Sequence, residues 1–241
     1  MPFDSLPAVL LFAAVFVFGR RLRVLRSERA ALSLGAGVSC AYVFIHMLPD
    51  LNEAGAEFVA ATAHLSLPAP HLRVYFAALL GFLVFFSLEN LKASFHARAE
   101  EETVRVPGLF TAVSIGGFAI YVALAGYLLV RGITGEAVPI GQYSVAMALH
   151  FLGVDYSLEE EHGALYRRTG RFILAGAALA GWGIAALTEL SKPVIITLLG
   201  FVSGGVVMNS MILELPEHEE HHFGAFVLGA LGYTTLLAFI H

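Results

Sequence analysis

An apolar run that closes on Leu149-His150-Phe151-Leu152-Gly153-Val154-Asp155 carries a histidine and an aspartate in its last third, then continues into Tyr156-Ser157-Leu158-Glu159. A charged side chain at membrane depth costs roughly 2.5–3.5 kcal/mol on insertion scales, so one retained there implies a partner, a proton or a cation. His150 and Asp155 are five residues apart, which is about 140° around a helix and not one ligating face. Asp155 and Glu159 do share a face at i, i+4. The chemistry these residues suit is passage of a cation or proton along the segment. A histidine hydrogen-bonded inside a helix bundle is the other reading of His150.

Two more groups have ligand chemistry. His46 and Asp50 are one helical turn apart with Pro49 between them, and a proline there is expected to fray the helix and free backbone carbonyls. They read as a site that collects a cation, or as an interfacial histidine beside a solvated aspartate. The stretch Glu214-Leu215-Pro216-Glu217-His218-Glu219-Glu220-His221-His222 places His218 and His222 at i, i+4, with Glu217 and His221 alongside. Imidazole and carboxylate suit zinc and similar divalent ions. A solvated acidic loop with adventitious metal affinity is the plainer reading. Asn209 is the costliest of the few other buried polar residues and is expected to pair across helices.

The elements that must position these groups are apolar helices. The chain has 241 residues, 58% hydrophobic and 14% charged, whereas soluble domains carry about 25% charged residues. That composition, in long runs, predicts an all-α polytopic membrane protein of one transmembrane domain, 1–241, with the lipid bilayer as its surroundings. The one cysteine, Cys40, excludes a disulfide framework and a thiolate metal site. No nucleophile elbow, phosphate loop or nucleic-acid patch is present, which predicts neither an enzyme nor a nucleic-acid partner. The first apolar run is followed by arginines and not by a small-residue cleavage site, so it reads as a retained helix.

Eight apolar runs can be marked, at 6–19, 31–48, 74–91, 109–130, 138–157, 172–188, 194–213 and 223–240, and they predict eight transmembrane helices. Eleven of the fourteen Lys and Arg fall after the first, third and fifth runs, leaving Arg73, Arg131 and Lys192 for the other face. The positive-inside rule then puts both termini on the extracytoplasmic side. Run two holds Leu34-Gly35 and Val38-Ser39 and closes on Leu48-Pro49-Asp50. Run seven echoes it with Leu199-Gly200, Val202-Ser203 and a closing Leu215-Pro216-Glu217. Paired motifs on oppositely directed spans mark inverted repeats in transporters, although Leu-Pro-acid is also an ordinary helix ending. Abundant glycine in the runs indicates close helix packing and permits a homodimer.

Eight runs, both ends outside, His46-Met47-Leu48-Pro49-Asp50 closing the second and Leu215-Pro216-Glu217 closing the seventh together resemble the ZIP (Zrt/Irt-like) metal transporters. In that family the fourth span carries His-Asn-x-x-Asp/Glu-Gly and the fifth His-Glu-x-Pro-His-Glu. The corresponding stretches here are Tyr121-Val122-Ala123-Leu124-Ala125-Gly126 and His150-Phe151-Leu152-Gly153-Val154-Asp155. Gly126, His150 and the final acid Asp155 match. Tyr121, Val122, Ala125, Phe151 and Val154 stand where the family has ligands. The resemblance implies two inverted three-helix repeats around a central pair, spans four and five, and a divalent cation such as zinc, iron or manganese as cargo, with no covalently bound cofactor. The thinned motif implies a single site using His150, Asp155 and Glu159 in place of a binuclear centre.

Three functions follow as expectations. The first is a divalent cation transporter or binder, with uptake at His46 and Asp50, passage along His150 and Asp155, and release toward Glu214–His222. The second is a non-transporting ZIP-like scaffold or metal sensor. The third is a zinc-dependent intramembrane lipid amidase using the late histidines. Against the third, Ser39 and His46 are seven residues apart, too far for a serine–histidine hydrogen bond on one helix.

Overall fold

The computed structural model describes residues 2–22, 28–101, 108–131, 140–210 and 223–240, and the regular structure among them is helical throughout. Among the described residues nine α-helices run in order: α1 (Leu6–Leu22), α2 (Glu28–Tyr42), α3 (Leu48–Ala61), α4 (Arg73–Glu101), α5 (Gly108–Arg131), α6 (Ile140–Leu165), α7 (Arg171–Leu187), α8 (Lys192–Met208) and α9 (Phe223–Ile240). Two wide π-turns, Val43–Met47 and Tyr166–Gly170, join α2 to α3 and α6 to α7. Local chemistry sets several ends. Arg20 and Arg21 occupy the last turn of α1, where positive charge complements the helix dipole. Thr188 leaves α7 with extended backbone, and its hydroxyl donates to the Ile184 carbonyl at 2.7 Å. Pro193 lies in the first turn of α8, where a missing N–H is tolerated.

Three antiparallel pairs, α5/α7, α4/α8 and α2/α9, have the most extensive helix–helix contact. In each, two glycines meet the partner's backbone reciprocally: a Cβ on Gly126 would overlap the Ala178 carbonyl oxygen, and one on Gly181 that of Ala123. Gly81 and Gly204 stand in the same relation to Phe201 and Ala78, and Gly37 and Gly229 to Phe226 and Leu34. Small residues of this kind let backbones approach where lipid supplies no hydrophobic force between helices. α6 is packed against α1 and α2, with Phe12 and Phe16 of α1 against Phe151 at ring separations of 5.1 and 5.4 Å. A smaller cluster, Leu51, Ala54, Phe58, Val74 and Ile196, seats α3 on α4 and α8.

The exterior is apolar. Phe76, Leu79, Leu80 and Leu83 form an exposed stripe on α4, while Ile120, Leu228 and Leu231 are each more than 60% exposed. Contiguous apolar surface of that kind meets lipid or a partner. With several long apolar helices, the chain is built as a membrane protein is.

The expectation of eight separate transmembrane helices in ZIP-like inverted repeats is corrected. Among the described residues, four helical stretches are long and apolar enough to cross a membrane: Ser33–Ala61, Pro70–Leu91, Thr111–Arg131 and Tyr143–Leu187. Lys192–Met208 and Phe223–Leu236 are shorter apolar helices. The second run does not stop at residue 48, because the π-turn carries the helix past Pro49 to Ala61. The fifth and sixth runs belong to one 45-residue helical stretch, broken locally at Gly163, whose φ of 53° is a conformation glycine adopts readily. Nor do α5 and α6 form a central pair: they touch lightly, α5 lying on α7 and α6 on α1 and α2.

Substituting Gly204 by alanine forces a Cβ into backbone on α4 and is expected to destabilise the protein by about 1–3 kcal/mol, the usual cost of overpacking. Gly183, with open space around its Cβ position, should tolerate alanine. Thermal unfolding of both variants in detergent checks the difference, and equal melting would remove the role given to the glycine pairs.

Candidate functional site

His46 is placed by the first π-turn. The Leu48 N–H reaches back five residues to the Val43 carbonyl, and the widened turn accommodates Pro49 without the fraying expected of it. π-turns inside α-helices recur at functional positions. His46 is buried and packs against Tyr42 and Tyr233, at ring separations of 5.8 and 6.3 Å, while Tyr143 of α6 lies against Tyr42 at 6.2 Å. Asp50 follows in the first turn of α3, partly buried.

His150 and Asp155 of α6 are deeply buried, at 1% and 2% exposure. They face different neighbours. The His150 Nε2 and the Tyr121 hydroxyl of α5 share a hydrogen bond of 3.1 Å, in which the histidine tautomer decides which group donates. Asp155 accepts a 2.7 Å hydrogen bond from the Tyr166 hydroxyl of the second π-turn. Its other oxygen lies against Gly19 of α1, where a Cβ would overlap it. The five-residue spacing therefore sends the pair to opposite sides.

Glu159 has a partner beyond the expected carboxylate pair. It lies 3.7 Å from the Arg167 guanidinium, which is itself 42% exposed, and an ion pair of that exposure contributes little. Glu217, His218, His221 and His222 lie outside the described residues. Among the described residues, no three His, Cys, Asp or Glu side chains converge to hold a metal ion. What does converge is pairwise: His150 with Tyr121, Asp155 with Tyr166, and His46 with its tyrosines. The phenols were missed because tyrosine reads in sequence as an apolar ring. For Tyr121 one signal was present, its place where the ZIP pattern has a ligand. Asn209 was expected to pair across helices, but neither its amide oxygen nor its nitrogen has a hydrogen-bond partner among the described residues.

Chemically, the arrangement holds one imidazole and one carboxylate buried in an apolar bundle, each hydrogen-bonded to a phenol that can donate or accept. Compared with protein-family models, curated proteins and solved structures, the chain matches none.

Tyr166→Phe removes the hydroxyl that serves Asp155 and should cost about 1–3 kcal/mol, the penalty for leaving a buried acceptor short of its donor. Tyr127→Phe, which removes a buried hydroxyl that has no hydrogen-bond partner among the described residues, should melt at least as high as the wild type. Parallel melts in detergent give the comparison, and an unchanged Tyr166→Phe would mean that Asp155 does not depend on the phenol.

Proposed function

We propose that the chain is an integral membrane protein that binds and conducts a divalent cation along α6, as the ZIP-like proteins it resembles conduct theirs. The observation that carries this reading is the burial of His46, His150 and Asp155 within an apolar bundle. Ionisable groups in such a setting are costly and mark ion or proton paths. Zinc, iron or manganese would be taken up beside His46 and Asp50 and handed along His150 and Asp155. With two nitrogen ligands and two carboxylates spread over that distance, the cation would be held at successive single sites. In the resting arrangement Tyr121 occupies the His150 Nε2 position that a metal would take, so binding has to displace one hydrogen bond.

The same hydrogen bond favours a second reading, a non-transporting binder or sensor in which Tyr121 permanently replaces the metal. Uptake of Zn²⁺, Mn²⁺ and Fe²⁺ into proteoliposomes separates the two. Conduction predicts flux in the wild type and at least a tenfold loss in the His150→Ala, Asp155→Ala double variant. No flux in the wild type sinks conduction, and equal flux in both proteins removes α6 from the path.

Orientation follows from charge. Arg131 and Lys192, two of the three basic residues that depart from the bias, are each paired with a carboxylate: Arg131 with Glu189 at 2.8 Å, Lys192 with Glu57 at 3.2 Å. Their charges offset little of the arginine excess at the opposite end, and both termini are assigned to the extracytoplasmic side. In a Cys40→Ala background, cysteine at the exposed Ser66 should react with an impermeant maleimide in intact cells, and cysteine at the exposed Thr169 only after lysis. The reverse pattern would invert the assignment.

A further inference from the structure

Below the Tyr121–His150 pair, toward the end of the bundle where α6 finishes, lies a small cavity between α4, α5, α6 and α8. Its polar lining is Glu89, Ser114, Ser157, Glu161 and Asn209, and Phe85 and Phe118 are among its apolar walls. The space open to the centre of a water-sized sphere is about 10 Å³, room for one water or one bare ion. Asn209 is 1% exposed and both of its amide atoms lack hydrogen-bond partners among the described residues. A buried amide left unsatisfied costs about 1–3 kcal/mol, so its retention at a cavity wall calls for something in the cavity. The backbone turns π-helical at Asn209 and Ser210.

We infer that this cavity is a binding site for a single alkali cation, Na⁺, separate from the divalent path and not dependent on it. The donors available are two carboxylates, two hydroxyls and an amide carbonyl, all hard oxygens. Among the described residues no imidazole or thiol lines the cavity, and its oxygen-rich lining suits a hard cation better than zinc. Mg²⁺ dehydrates reluctantly and demands near-ideal octahedral geometry, which a lining spread over four elements is poorly arranged to give. K⁺ is larger and loses on size. His162, outside the lining, lies 3.1 Å from the Ser114 hydroxyl and 3.6 Å from Glu161, where it can offset the second carboxylate. Phe85 and Phe118 separate the site from His150: both rings pack on Tyr121, at 4.9 and 6.5 Å.

The test is thermal unfolding of the purified full-length chain in detergent, in NaCl, KCl and choline chloride at equal ionic strength. At a concentration tenfold above its dissociation constant, Na⁺ should raise Tm by about 3–6 °C over choline, saturably, with K⁺ giving much less. Asn209→Leu should remove the sodium increment while melting at or above the wild type in choline, because the unsatisfied amide is gone. Ser157→Ala, a smaller change, should reduce the increment if the leucine variant cannot be purified. Equal melting of the wild type in all three salts overturns the inference, as does an increment that both variants retain or that K⁺ reproduces in full.

Discussion

Backbone-to-backbone approach at glycine is the constraint on which the remaining structure depends. Helices surrounded by lipid gain nothing from hiding apolar side chains from one another, so close van der Waals packing has to hold them. Each of the pairs α5/α7, α4/α8 and α2/α9 meets this with two reciprocal glycines, and no side chain of any size fits at the crossings. Such seams have no room for polar groups. The ionisable chemistry is displaced onto α6 and the π-turn after α2, which pack through side chains and leave space for them.

Tyrosine is the second recurring device. A buried imidazole or carboxylate needs a partner, and an ion-pair partner would itself have to be desolvated. A phenol supplies a hydrogen bond while its ring packs like any other apolar group. Tyr121 and Tyr166, both almost fully buried, do this for His150 and Asp155. The arrangement keeps the bundle closed without extra charge.

Much of the helical content was legible, because long apolar runs with arginine at their ends leave little else for the chain to do. The runs at 74–91 and 109–130 lie within α4 and α5. The boundaries that failed did so where backbone geometry, not composition, decides. A five-residue π-turn lets Pro49 continue a helix it would ordinarily interrupt, and the charged stretch between the fifth and sixth runs stays helical apart from the break at Gly163. Helical arithmetic correctly kept His150 and Asp155 apart. Asp155 and Glu159, which share a face, each have a partner in the second π-turn, Tyr166 and Arg167. Asn209 was recognisable as costly, yet its surroundings come from three helices distant in sequence, α4, α5 and α6.

The polar groups are set within a connected series of rings. Tyr42 touches Tyr143, Tyr143 touches Phe12, Phe12 touches Phe151, and Phe151 touches Tyr121, which reaches Phe85 and Phe118. Packed rings of this kind leave little room between them, so an ion travelling along α6 would have to part some of them. The cost of doing so is uneven. Separating α5 from α7 would open seams where backbone meets backbone at Gly126 and Gly181. Parting α6 from α5 breaks the Tyr121–His150 and His162–Ser114 hydrogen bonds and the few ring contacts of a light interface. A hydrogen bond of that kind is worth only about 0.5–1.5 kcal/mol net, small beside a reciprocal glycine seam. The compliant boundary of the molecule is therefore the one that carries the histidine.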